Sequence, residues 1–132
     1  MHTPPRILVI EDDNILAKLL EYKLVKSGYA VEIALDGEQG LKLAQENEYD
    51  LMLLDLMLPR LNGFQLLENL QDGDKKAFPL CIVLSARSGE EDMLRAFGLG
   101  AVDFIPKPFS LDVLVARLRV ALDHKQAAHA LS

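Results

Sequence analysis

Five short apolar runs, each followed by an amphipathic segment, restrict the fold of this chain more than any other feature. They are RILVI (Arg6–Ile10), AVEIA (Ala30–Ala34), LMLL (Leu51–Leu54), LCIVL (Leu80–Leu84) and VDFI (Val102–Ile105). The first, third and fourth are almost purely apolar, as strands covered on both faces must be. Glu32, in the middle of AVEIA, fits an edge strand.

Between the runs, apolar residues recur at helical spacing. Asn14 is placed as the cap of a first helix with Ile15, Leu16, Leu19, Leu20 and Leu24 on one side, and Gly28 as its end. Asp36 and Gln39 have capping-box spacing ahead of a second helix. Asn62 and Gly63 precede a third, with Phe64, Leu67 and Leu70 on one face. Ser88 and Glu91 repeat the capping-box pattern before Met93, Leu94 and Phe97. Ser110 opens the last helix, with Leu111, Leu114, Leu118 and Leu122 on one stripe. Five such βα units imply an α/β domain, doubly wound, with a parallel sheet, helices on both faces and right-handed crossovers.

The 132 residues suit one domain. They are expected to divide into a flexible N-terminus over 1–5, the domain over 6–124, and a C-terminal helical extension or start of a linker over 125–132. A formal net charge of −6, with scattered basic residues, argues against direct nucleic-acid binding by this segment. No apolar run approaches the ~18 residues of a membrane span. The opening MHTPPR lacks the apolar stretch of a secretory signal. The single cysteine, Cys81, lies in an apolar run and reads as a buried, inert thiol. The expected location is a reducing cytoplasm.

In an open parallel sheet, ligands bind beyond the carboxyl ends of the strands, where strand order reverses. The first run ends in Glu11-Asp12-Asp13, the third in Asp55, the fourth in Ser85, and the fifth is followed by Lys107-Pro108. Acids, a hydroxyl and an ammonium therefore converge on one rim. Singly, Asp13 reads equally well as a helix cap, Ser85 as a loop serine and Lys107 as a surface lysine. Asp55 stands apart, following four apolar residues and preceding Leu56-Met57-Leu58. A carboxylate in that setting needs a counter-charge or a metal.

The order VIEDD, LMLLD with LMLPRLNG, LSA and KPF resembles the receiver domain of two-component response regulators. The resemblance covers roughly Arg6 to His124. It implies a flavodoxin-like fold with strand order 2-1-3-4-5. It further implies that Asp55 is the phosphoacceptor, Glu11 and Asp12 the acidic pair, Ser85 the hydroxyl, Lys107 the lysine, and Lys107–Pro108 a cis peptide. The implied cofactor is Mg²⁺, with Mn²⁺ as the alternative ion. Asp12 and Asp55 are assigned as direct ligands, with the backbone carbonyl of Met57. Glu11 is assigned through a metal-bound water, its longer side chain leaving direct contact open. Without metal the three acids repel, and at least one pKa should rise. Lys107 is expected to pair with Asp55.

The resemblance implies that Asp55 accepts a phosphoryl group from a histidine kinase or phosphotransfer protein, and that the domain then switches conformation. The chemistry is self-catalysed acceptance and slow autodephosphorylation, not turnover of a metabolite. Ser85 and Phe104 are the expected switch residues, Phe104 standing where the family usually has tyrosine. Met57 and Arg87 flank the expected path of hydrolytic water and offer neither base nor amide, so the phosphoryl group should last minutes or longer. Ile15 of the first helix, with Leu58 and Pro59 of the following loop, is the expected partner surface. The face of the fourth helix, fifth strand and fifth helix would carry an output domain or a homodimer. There, Asp103 and Arg117 match one charged pair of a known dimer, but Val102, Val113 and His124 replace charges of the other two. Three alternatives remain. A receiver that only binds partners, uncontrolled by phosphorylation, would normally lack one of the site residues. A Mg²⁺-dependent phosphohydrolase with an Asp nucleophile would carry an acid where Met57 stands. A flavodoxin-like cofactor protein would not place three acids where a phosphate must bind.

Overall fold

The computed structural model describes residues 3–72 and 78–131; Met1 and His2 of the expected N-terminal flank, and Ser132 of the C-terminal one, lie outside the described residues. The elements alternate as β1 (Arg6–Ile10), α1 (Asn14–Lys26), β2 (Ala30–Ala34), α2 (Gly37–Glu46), β3 (Leu51–Asp55), α3 (Gly63–Asp72), β4 (Leu80–Ser85), α4 (Glu90–Gly98), β5 (Asp103–Pro106) and α5 (Leu111–Leu131). The five strands are parallel and ordered β2-β1-β3-β4-β5, as expected, with β2 and its Glu32 on an edge. Three strands extend one residue further than the apolar runs, to Asp55, Ser85 and Pro106, and β5 begins one residue later than expected, at Asp103. Asp55 pairs with Leu84, and Ser85 pairs with Pro106, so both polar residues belong to the ladder itself.

Alternation along the strands builds two cores. Ile7, Val9, Leu51, Leu53, Ile82 and Leu84 face α1 and α5, meeting Leu20, Leu24, Leu114 and Leu118. Leu8, Ile10, Met52, Leu54, Cys81 and Val83 face the other helices, meeting Ala44, Phe64, Leu67 and Ala96. Cys81 is fully buried, and burial pushes its thiol well above the ordinary value, as an inert thiol requires.

Several helix details depart from the sequence reading. Asp13, not Asn14, caps α1, its carboxylate accepting from the N–H groups of Ile15 and Leu16. The buried face is Ala17, Leu20 and Leu24, while Ile15 and Leu19 face water. Leucine and isoleucine are apolar on either face, so composition alone did not fix the helix phase. Gly28 does end α1, at a φ of 101° that favours glycine. Asp36 caps α2 as expected, but the Gln39 side chain accepts from Leu35 N–H and not from Asp36. Asn62 and Gln65 form the full reciprocal box ahead of α3. Ser88 does not cap α4: the cap is Gly89, without a side-chain bond. Leu94 and Phe97 of α4 are exposed, and Ala96 makes its buried contact instead. Ser110 caps α5 through Val113 N–H. Among the described residues no helix is long and apolar enough to cross a membrane.

Candidate functional site

The order of the sheet decides where the acids meet. From β1 the chain moves out to β2, then returns to β3 on the other side of β1. The carboxyl ends of β1 and β3 therefore lie side by side at the point where connections diverge, the place such sheets offer to ligands. Glu11 and Asp12 follow β1 there, and Asp55 ends β3. One carboxylate oxygen from each of Glu11, Asp12 and Asp55 lies within 4.8 Å of the others.

The three differ in surroundings. Glu11 is 1% exposed and Asp55 3%, whereas Asp12 is open to water. Lys107, delivered from the loop after β5 beside a cis peptide to Pro108, lies between the buried pair. Its Nζ donates to Glu11 Oε1 at 2.7 Å and to Asp55 Oδ2 at 3.1 Å. Glu11 Oε2 accepts from Asp13 N–H, and Asp55 Oδ1 accepts from Met57 N–H. The expected Lys107–Asp55 pair is present, and the shorter Lys107–Glu11 contact was not foreseen.

One acid is shifted, as the repulsion argument required, but the main cause is different. Burial raises Glu11 to about 7, against the lowering contact of Lys107, and the charge of Asp55 contributes less. For Lys107, burial works downward, but the hydrogen bond to Glu11 and the charge of Asp55 prevail and hold it above the ordinary lysine value.

The donor set is oxygen-only, carries more negative than positive charge, and includes the solvent-facing Asp12, which accepts no hydrogen bond among the described residues. That is the chemistry a hard divalent cation requires. Gly63 keeps the rim tight: its N–H donates to Leu56 O at 3.0 Å, and a Cβ there would lie 2.8 Å from the carbonyl oxygen of Asp55.

Ser85 is fully buried at the end of β4, its Oγ accepting from Arg87 N–H at 3.0 Å. Phe104 is buried in the core shared with Leu54 and Val83. Met57 and Arg87 both line a cleft of about 350 Å³ beside Asp12, with Leu58, Pro59 and Phe64 among its walls. Of the expected partner surface, Ile15 is 75% exposed and Pro59 is exposed, but Leu58 is only 7% exposed. Leu58 is thus more buried than that expectation assumed: its side chain packs into the cluster that includes Phe64 and meets solvent only at the wall of the cleft. Val102 and Val113 are exposed, as is His124, and Arg117 reaches Asp103 at 3.5 Å.

The family model described as response regulator receiver domain matches residues 7–119. Response regulator ArlR of Staphylococcus saprophyticus is 39% identical over 117 residues, 89% of this chain and 52% of that protein. The uncharacterized transcriptional regulatory protein YcbL of Bacillus subtilis is 39% identical over 115 residues, 87% of this chain and 50% of that protein. The chain thus spans about half the length of these curated relatives. Among solved structures, the non-phosphorylated HemR receiver domain from Leptospira biflexa matches with a TM-score of 0.82 and 40% identity, covering 89% of this chain and 94% of that one.

Proposed function

The chain belongs to the response regulator receiver domain family, and from that premise we propose that it is a phosphoacceptor whose nucleophile is Asp55. A carboxylate oxygen of Asp55 forms a bond to phosphorus as the phosphorus–nitrogen bond of a partner's phosphohistidine breaks. The departing imidazole keeps the electron pair and takes up a proton. The partner is a histidine kinase or a phosphotransfer protein, and the chain is no turnover enzyme. The observation that carries this reading is a buried aspartate at a strand end with a lysine at 3.1 Å and two further acids on the same rim.

Asp12, Asp55 and the carbonyl of Met57 are the residues that would hold Mg²⁺, with Glu11 behind them; Mn²⁺ has the same oxygen preference. When bound, the ion supplies neutralising charge to an anionic phosphoryl group approaching an anionic carboxylate. The chain's own groups do the rest by position. Lys107, already on Asp55, is placed to share its charge with a phosphoryl oxygen. Ser85 accepts one hydrogen bond and keeps its own O–H to donate.

Phosphorylation adds about −1.5 to −2 charge and three acceptor oxygens. A Ser85 drawn towards them alters the packing beside Phe104, a neighbour in the ladder through Val83 and Pro106. Phe104 lacks a hydroxyl, so packing alone sets its balance between inward and outward positions. Output to a further domain, a separate protein or a homodimer passes through the surface of α4, β5 and α5. Ile15 and Pro59 serve the phosphodonor.

The test is incubation with a small acyl phosphate and Mg²⁺, read by intact mass. A phosphoryl mass gain that Asp55→Asn abolishes is expected. No gain in the wild type, or a gain surviving the substitution, would reject the reading.

A further inference from the structure

We propose that Arg87 is a second phosphoryl-binding cation, held in reserve by Asp92, and that its transfer from Asp92 to the phosphoryl group couples the site to the start of α4. This rests on the reading of Asp55 as phosphoacceptor.

The starting geometry is a clasp. Arg87 Nε donates to Asp92 Oδ2 at 3.0 Å and a terminal nitrogen donates to Oδ1 at 3.2 Å, so both carboxylate oxygens are engaged. The backbone N–H of the same Arg87 donates to Ser85 Oγ. One residue therefore touches the site hydroxyl with its main chain and α4 with its side chain. Asp92 lies in the first turn of α4, the helix whose cap Gly89 makes no side-chain bond.

Arg87 is the one cationic side chain among those lining the cleft with Asp12 and Met57. It is also loosely held. Its side chain is 59% exposed, and exposed ion pairs contribute little against water. A phosphoryl group offers roughly twice the charge of a carboxylate and three acceptor oxygens, and a guanidinium grips it with paired donors. The exchange is thus downhill in charge once the group is attached to Asp55. Asp92, whose side chain is only 17% exposed, is then left without its partner, beside Glu90 and Glu91 at the head of α4. The released repulsion among three acids is a direct message from the site to that helix.

Five chains test this: wild type, Arg87→Ala, Asp92→Asn, the double variant and a Glu91→Gln control, each melted to confirm folding and then timed for mass gain with acyl phosphate and Mg²⁺. Freeing Arg87 by Asp92→Asn should accelerate the gain about threefold, the scale of an exposed ion pair. Arg87→Ala should slow it by about twentyfold, on the scale of a charged hydrogen bond. In the Arg87→Ala background, Asp92→Asn should do nothing. Glu91→Gln removes the same charge at a residue that pairs with no cation among the described residues, and it should leave the rate near wild type. Equal acceleration by Asp92→Asn in both backgrounds, or by Glu91→Gln, would reduce the effect to general field and overturn the clasp. Unchanged or slower gain in Asp92→Asn would overturn it as well. A wild type that gains no mass would instead reject Asp55 as acceptor, and the clasp with it.

Discussion

Lys107 makes its shorter contact with Glu11, at 2.7 Å, and its longer one with Asp55, at 3.1 Å. The ammonium that is expected to serve the phosphoacceptor is thus shared with an acid other than the proposed nucleophile. Sharing has a purpose in charge terms: it lets two buried carboxylates face one cation while a third, Asp12, stays in water.

That arrangement gives Glu11 an unusual sign in stability. Its folded value of about 7 lies above its ordinary 4.5. Between these values the folded protein binds more protons than the unfolded chain, so the contribution is complete below pH 4.5 and is lost as pH rises through about 7. In chelator, the chain should be more stable at about pH 6 than at about pH 8, by about 1 kcal/mol from this group. Glu11→Gln should remove that slope. Saturating Mg²⁺ should flatten it, because a cation favours the charged carboxylate. Urea titrations at the two pH values decide it, and equal slopes in wild type and variant would contradict it.

Taking away the cation is the complementary experiment. Lys107→Met keeps much of the volume but leaves Glu11 and Asp55 buried without a counter-charge. The loss should be about 3 kcal/mol at neutral pH, the scale of breaking a buried pair. It should shrink in acid, where the carboxyls take up protons. Phosphoryl acceptance should fall at every pH. A variant as stable as wild type in urea would show that Lys107 has no part in holding the fold.

Gly63 tests how tightly the rim is built. A Cβ there would meet Asp55 O and Leu56 Cα, both at 2.8 Å and both backbone atoms that cannot swing away. Gly63→Ala should therefore cost about 2 kcal/mol in overpacking. It should also slow acceptance at Asp55 even in protein that remains folded. Normal kinetics in folded Gly63→Ala would mean that the carbonyl of Asp55 has room to retreat.

The strands were legible because apolar runs with polar ends have little else to become. Asp55 and Ser85 were missed as strand residues only because a ladder can end on a polar group that points to the rim. The site acids were legible for the same reason, since each stands at or just beyond the end of a strand. What could not be read was phase and distance. Ile15 and Leu20 are equally apolar, yet one faces water and the other the core. Leu58 has the same composition signal as a docking loop, and only packing shows that it is buried. The contact of Lys107 with Glu11 joins residues 96 positions apart and leaves no local trace. Asn62 and Gln65 do leave one, the capping-box spacing.

The geometry beside Asp55 also bears on how long a phosphoryl group would survive. Hydrolysis needs a water held in line and relieved of its proton. Met57, half-exposed at the rim, offers a thioether, and the guanidinium of Arg87, whether on Asp92 or on the phosphoryl group, accepts no proton. Neither side chain orients water, so the lifetime should be minutes or longer. Met57→Asn puts an amide where the thioether stands, able both to donate to and accept from a water molecule. It should shorten the lifetime by about tenfold, equivalent to about 1.4 kcal/mol of barrier. The check is to label with acyl phosphate, remove the donor, and follow the mass difference over time in wild type and variant. Loss within seconds in the wild type would mean that water is positioned by some group other than these two, and an unchanged lifetime in Met57→Asn would mean that the side chain does not reach the water's path.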